Sequence, residues 1–74
     1  MSESFVSIVK SCEEKMRHGD LWKDFSVEEL MDYARIKAKR ALIFHKRKHM
    51  LKFDDDVKDA INILICALLR EDLD

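Results

Sequence analysis

Three acidic side chains and one amide stand at the start of the most apolar stretch of the sequence. Asp55, Asp59 and Asn62 fall in one narrow stripe at 100° per residue, with Asp56 to one side of it. Residues 57–69 are apolar almost all round, so this segment should be buried on most of its surface. An ionised Asp59 beneath such a surface needs a cation, a hydrogen-bonding partner or a metal, because a lone buried carboxylate is costly.

A second acidic pair, Glu29 and Asp32, is spaced i, i+3 on a predicted upstream helix. Acidic groups on two helices form a plausible cage for Mg²⁺, a hard ion that takes oxygen ligands and keeps positions open for phosphates. The alternative for Asp59 and Asn62 is a buried polar network with the upstream helix. The spacing alone leaves both possibilities open.

Composition predicts a single all-α domain over residues 1–74. The chain has no proline and only Gly19, and its apolar residues recur at helical spacing. One core of this size is only marginally stabilising, and Cys12 and Cys66 do not form a disulfide framework. We therefore expect a three-helix subunit that forms a helical bundle as a homodimer or as a dimer of dimers.

The expected location is the cytoplasm. Two free thiols are typical of a reducing compartment, and the sequence has no signal peptide. The apolar run before Arg70 is shorter than the ~20 residues that a membrane span requires. We expect no membrane partner.

Capping signals predict where the first two helices begin. Ser2 or Ser4 caps a first helix that runs to about residue 17. Ser26 and Glu29 have the spacing of a capping box, which predicts a second helix over residues 27 to at least 44. The side chains expected in the core are Phe5, Val9, Cys12 and Met16 of the first helix, and Leu30, Ala34, Ala38, Ala41 and Leu42 of the second.

The third helix is predicted to begin at Asp54 or Asp55 and to end near Arg70. Aspartates favour helix N-termini, where they cap the backbone and complement the helix dipole. Residues 45–52, between the second and third helices, could be helix or loop.

The net charge of −1 hides a strong segregation of charge. No acidic residue lies between Tyr33 and Phe53, whereas the flanks of this segment are acidic. The segment could bind the phosphates of an anionic ligand, it could bind nucleic acid, or it could be an ordinary solvated face. Its cationic residues are Arg35, Lys37, Lys39, Arg40, Lys46, Arg47, Lys48 and Lys52.

The acidic spacings resemble those of a known family. Glu29-x-x-Asp32 is followed by Asp56-x-x-Asp59, and Asn62 stands three residues later. This is similar to the ExxE and KxxExxD pattern, often ending in DxxN, of the MazG-like all-α nucleotide pyrophosphohydrolases, particularly the short phage and archaeal members. The resemblance covers residues 15–69.

Other positions agree with that pattern in part. Asp32 and Asp56 stand where the family has glutamates, and Phe53 occupies the position of the motif lysine, with Lys52 adjacent. The segment His18-Gly19-Asp20-Leu21-Trp22 resembles the aromatic-Gly-Asp-x-Trp turn that precedes the acidic helix in some members.

The resemblance implies hydrolysis of a nucleoside or deoxynucleoside triphosphate to the monophosphate and pyrophosphate. Mg²⁺, or Mn²⁺, would bind the triphosphate and activate a water. The implied catalytic and metal ligands are Glu29, Asp32, Asp56 and Asp59. The implied nucleotide contacts are Lys37, Arg40 and Lys52 with the phosphates, Asn62 with a ligand or the nucleotide, and Trp22 and Tyr33 with the base.

Two other functions compete with the enzyme. One is a non-enzymatic helical oligomeric adaptor, in which the apolar third helix is only a dimer interface. The other is a nucleic-acid-binding helical protein that uses the segment Arg35–Lys52, with an affinity that falls steeply with salt. No Ser/His/Asp set, phosphate-cradling glycine loop or paired CxxC is present, so nucleophilic catalysis is excluded.

Overall fold

The described part of the chain is entirely helical. The computed structural model describes residues 4–16 and 24–73, which form α1 (Phe5–Met16), α2 (Val27–Lys46) and α3 (Met50–Leu73) without any strand. This confirms the all-α class. None of these three helices combines the length and apolar character needed to cross a bilayer. Trp22 and the rest of the segment His18-Gly19-Asp20-Leu21-Trp22 lie outside the described residues.

Side-chain caps begin α1 and α2. The Ser4 hydroxyl accepts a hydrogen bond from the Ser7 backbone N–H at 3.1 Å, so Ser4 caps α1, while Ser2 lies outside the described residues. The Ser26 hydroxyl accepts from the Glu29 N–H at 3.1 Å, and the Glu29 carboxylate accepts from the Ser26 N–H at 3.0 Å. The predicted capping box is confirmed.

The predicted start of α3 is wrong, because the helix begins at Met50 rather than at Asp54 or Asp55. Lys48 adopts the left-handed conformation with φ of 60°. Its N–H bonds the His45 carbonyl at 3.1 Å, and the His49 N–H bonds the Phe44 carbonyl at 2.9 Å. This hydrogen-bond pattern, a Schellman motif, satisfies the last carbonyls of α2 within a short turn. The third helix therefore starts at once, and both aspartates lie inside it.

The three helices lie side by side, with α3 in the middle. Leu30 of α2 packs against Cys66 and Ala67 near the end of α3, whereas the start of α3 follows directly on the end of α2, so α2 and α3 are antiparallel. The packing of α1 is against α3 and is much less extensive than that of α2. Three partly buried side chains complete the core: Met16, Val27 and Ile63.

The expected core residues are only partly buried in the single chain. Cys12, Leu30, Ala34 and Ala41 are buried as predicted. The prediction is wrong for Phe5, which is 81% exposed, and for Leu42, which is 54% exposed. Val9 and Ala38 are also exposed. Among the described residues no large side chain is fully buried, so much of the apolar surface of all three helices remains uncovered.

Candidate functional site

The antiparallel hairpin of α2 and α3 decides which charges meet. Residues at equal distances from the turn at residues 47–49 face each other across such a hairpin. Lys37 and Arg40 of α2 therefore face Asp56 and Asp59 of α3, one helical turn apart on each helix. Two cations, rather than a second acidic pair, lie opposite the two aspartates.

Asp56 is the most buried carboxylate of this site, with 3% of the residue exposed. Its Oδ2 lies 3.3 Å from Arg40 Nε, and its Oδ1 lies 3.9 Å from Lys37 Nζ. Oδ2 is buried without a well-aligned hydrogen bond, so its contact with the guanidinium is electrostatic. The two cations make the burial of this charge tolerable.

Asp59 joins all three helices. Its Oδ1 lies 3.1 Å from Lys15 Nζ of α1, and its Oδ2 lies 3.3 Å from Lys37 Nζ of α2. Lys15 also donates to the carboxylate of Asp55. The sequence predicts that Asp59 has the least access to water, and this is wrong. Its side chain is 27% exposed, whereas that of Asp56 is 4% exposed.

The contact between Lys15 and Asp55 shifts both pKa values. The hydrogen bond from Lys15 lowers the pKa of the Asp55 carboxyl, against an opposing effect of desolvation. Partial burial by itself disfavours the Lys15 ammonium, but the hydrogen bonds to Asp55 and Asp59 outweigh it and raise the pKa of Lys15. Each of the two groups therefore stabilises the charged form of the other.

Glu29 and Asp32 do not join the acidic side chains of α3. The Glu29 carboxylate is occupied by the capping box, where the Ser26 backbone N–H and then its hydroxyl lower its pKa. Asp32 is exposed and lies 3.6 Å from Arg35 on the same helix. Asp32 precedes Lys37 by more than one turn, roughly 8 Å along the axis at 1.5 Å per residue. The predicted cage of four carboxylates is thus not assembled within one chain.

Asn62 supports the packing of α1 on α3 and also lines a cavity of about 290 Å³ between these two helices. Its Nδ2 donates to the Cys12 carbonyl oxygen at 2.9 Å, which ties α1 to α3. Among the other predicted nucleotide contacts, Lys52 lies 5.3 Å above the ring of Phe44 near the turn. Tyr33 is partly exposed on α2, with Lys37 Nζ 5.7 Å from its ring centre.

Within residues 4–16 and 24–71, one group of histidine, cysteine or acidic side chains could hold a metal ion through three ligands. This group consists of Asp55, Asp56 and Asp59. Each offers a carboxylate oxygen, and these oxygens lie within 4.8 Å of one another. The sequence predicts a helix cap at Asp54 or Asp55, although the position of Asp55 in one stripe with Asp59 is the signal that identifies it as a possible ligand. Three cations, Lys15, Lys37 and Arg40, already balance the three carboxylates.

Comparison of this chain with protein-family models, with curated proteins and with solved structures finds no match.

Proposed function

We propose that this chain is a self-associating helical adaptor, a non-enzymatic protein whose α2–α3 hairpin pairs with the hairpin of a second copy. The observation that carries this proposal is a groove along the hairpin with two concave parts that share Leu64. The parts have volumes of about 330 and 380 Å³. The first is lined by Ala38, Ala41, Leu42, Phe53, Val57, Ala60, Ile61 and Leu64, and the second by Val27, Met31, Leu64, Ala67, Leu68 and Glu71.

The shape of the groove suits a helix of a second copy. Small side chains, including Ala41, Ala60 and Ala67, are buried in its floor, while Leu42 and Leu68 project from its edges and are exposed. Two such surfaces related by a two-fold axis would place the leucines of one hairpin over the alanines of the other. Burying one leucine in this way contributes about 1.5–3 kcal/mol, which the small core of the single chain lacks.

The charge cluster fits this proposal. The acidic side chains of α3 are already neutralised by cations from α1 and α2, so the cluster works as an internal ionic lock between helices. Removing one partner from such a buried pair is strongly destabilising, whereas the intact pair adds little net stability. Its contribution is to fix the register of the hairpin and hence the shape of the groove.

Sedimentation equilibrium of the wild type and of two matched variants tests the adaptor. Leu64→Asp places a charge at the centre of the groove and should convert the oligomer into monomers. Leu51→Asp changes an exposed leucine at the turn, outside the groove, and should leave the oligomer intact. A wild-type protein that sediments as a stably folded monomer at micromolar concentration would contradict the proposal.

The second candidate is the Mg²⁺-dependent pyrophosphohydrolase implied by the MazG-like pattern. The observation that favours it is the group of Asp55, Asp56 and Asp59, whose oxygens are the donors that a hard cation prefers. A bound Mg²⁺ would supply positive charge to the phosphate oxygens of a nucleoside triphosphate. Lys37 and Arg40 would then turn from the carboxylates to the phosphates of the substrate.

Thermal melting with Mg²⁺ or Mn²⁺ at millimolar concentration separates the two candidates. A cation that binds only the folded state raises the melting temperature. Asp59→Asn should abolish this rise, whereas Asp32→Asn should not if the ligands are those of α3 alone. No rise in the wild type would leave the cluster as an ionic lock. A pyrophosphate-release assay with the common nucleoside triphosphates, compared with the Asp59→Asn protein, then tests catalysis.

A further inference from the structure

At the turn between α2 and α3 lies the only run of three consecutive cationic residues in the sequence, Lys46, Arg47 and Lys48. Residues 45–52 contain Lys46, Arg47, Lys48 and Lys52, all exposed, and no acidic residue. We call residues 46–52 the basic tip. The next acidic residue in sequence, Asp54, lies 2.9 Å from Lys58 one turn further along α3. The charge of the basic tip is therefore not neutralised by the nearest carboxylate in sequence.

Two apolar side chains project from the same place. Leu51 is 90% exposed, the highest exposure of any large apolar side chain in the described part of the chain, and Met50 is about half exposed. Both lie outside the α2–α3 groove, because neither lines its two concave parts. Lys48 and Lys52 flank them in sequence, so apolar and cationic side chains share one end of the hairpin.

Two backbone positions of the basic tip, the end of α2 and the first turn of α3, also carry residues that favour a positively charged surface. Lys48 occupies the left-handed position that ends α2, where glycine is the residue of lowest cost. A cation is present at this position instead. The first turn of α3 also contains no acidic residue, although acidic side chains are favoured there.

We propose that the basic tip binds the surface of an anionic lipid bilayer. Met50 and Leu51 enter the boundary between headgroups and acyl chains, while the long side chains of Lys46, Lys48 and Lys52 reach the lipid phosphates. The contact is peripheral and requires no membrane span. The expectation of no membrane partner rested only on the lack of a segment long enough to span a bilayer. Nucleic acid would attract the same cations, but its phosphate backbone offers nothing to a projecting leucine.

Co-sedimentation of the full chain with lipid vesicles tests this proposal. One vesicle preparation contains phosphatidylcholine alone and the other contains one third phosphatidylserine. We expect binding to the anionic vesicles only, and weaker binding at high salt because salt screens the cations. Each cation near the surface contributes about fivefold to the partition coefficient, so Lys46→Gln/Lys48→Gln should lower it by about 25-fold. Leu51→Ser should lower it by about tenfold.

Matched variants away from the tip are the controls. Lys10→Gln/Lys39→Gln removes the same charge from exposed positions on α1 and α2, and Leu69→Ser removes a leucine near the far end of α3. Neither should lower the partition coefficient by more than about twofold to threefold. Equal binding to neutral and anionic vesicles, no binding to either, or equal losses in the two leucine variants would overturn the proposal. The proposal also fails if the protein binds duplex DNA or RNA through the cations of the basic tip and does not bind the anionic vesicles.

Discussion

Arg40 of α2 and Asp56 of α3 form a pair in which the carboxylate is buried and the guanidinium is half exposed. Arg40 Nε lies 3.3 Å from Asp56 Oδ2, and the Arg40 side chain is 54% exposed against 4% for Asp56. The guanidinium of Arg40 therefore keeps part of its hydration, while the Asp56 carboxylate that it neutralises has lost nearly all of its hydration. Such an arrangement lowers the desolvation cost, because only one of the two ions is removed from water.

The first prediction follows from the burial of Asp56. Asp56→Ala should lower the free energy of unfolding by about 3 kcal/mol, at the lower end of the ~3–5 kcal/mol for a fully buried pair, since Lys37 keeps Asp59 as a partner. Asp32→Ala, which changes an exposed pair on one helix, should cost less than about 0.5 kcal/mol. Urea denaturation of the three proteins measures both values. Equal losses would show that the hairpin does not depend on Asp56.

The second prediction concerns acid. The pKa of Asp55 in the folded protein lies below its ordinary value of 3.8, so below about pH 4 the unfolded chain binds more protons than the folded chain. The stability that Asp55 contributes is therefore complete above this range and is lost as the pH falls through the lowered pKa. Asp55→Asn should show a shallower acid limb in a plot of unfolding free energy against pH.

Lys15→Gln removes the donor responsible for that shift and should flatten the acid limb in a similar way. Because the pKa of Lys15 is raised above its ordinary value of 10.5, the same variant should also lose less stability than the wild type in strong alkali. An acid limb of wild-type slope in both variants would contradict the assignment of this contact.

The third prediction concerns the conformation of Lys48. Lys48→Gly relieves a left-handed residue that costs about 1–2 kcal/mol, and it loses about 0.5–1 kcal/mol to the flexibility of glycine when unfolded. The net effect should be a stabilisation of about 0.5 kcal/mol. Lys39→Gly, at an exposed position inside α2, should instead destabilise by about 1 kcal/mol. Opposite signs in thermal melting are the test, and destabilisation by both would refute it.

The fourth prediction separates the capping role of Ser26 from any role of Glu29 in metal binding. Ser26→Ala should cost about 1 kcal/mol by leaving the Glu29 N–H without its acceptor, while Ser26→Asp should keep most of the stability. Glu29→Gln keeps a side-chain acceptor for the Ser26 N–H. If it left the melting temperature in Mg²⁺ unchanged relative to wild type, Glu29 would be a cap only.

The sequence was sufficient for the parts of the fold that depend on local chemistry. The cap at Ser26 and the all-α class follow from residues close together in the chain, and both are confirmed. Asp59 was open to a cation, a hydrogen-bonding partner or a metal, and the structure places lysines beside it. The opposing cations of α2 were instead predicted to contact the phosphates of a nucleotide. Periodicity shows which residues share a face of one helix, but not which residues of two helices meet.

The turn determines that pairing, and its sequence was ambiguous. A helix stop is usually marked by glycine or proline, whereas here Lys48 adopts the left-handed conformation without either. With the turn at residues 47–49, Lys37 rather than Asp32 reaches the level of Asp59. The third helix also begins about one turn before the predicted start. Its aspartates did not mark the start, because aspartate is common both at helix caps and inside helices that have cationic neighbours.

The two cysteines lie in different parts of the helical packing, so the alkylation of each thiol measures a different unfolding event. Cys12 lies on α1, whose packing against α3 is much less extensive than that of α2, whereas Cys66 lies in the α2–α3 core. Burial also raises the pKa of the Cys66 thiol, which slows its alkylation further. Undocking of α1 alone would expose the first thiol, while the second would lose only the packing of Met16 against its cluster. The ratio of the two alkylation rates would then measure the free-energy gap between partial and global unfolding.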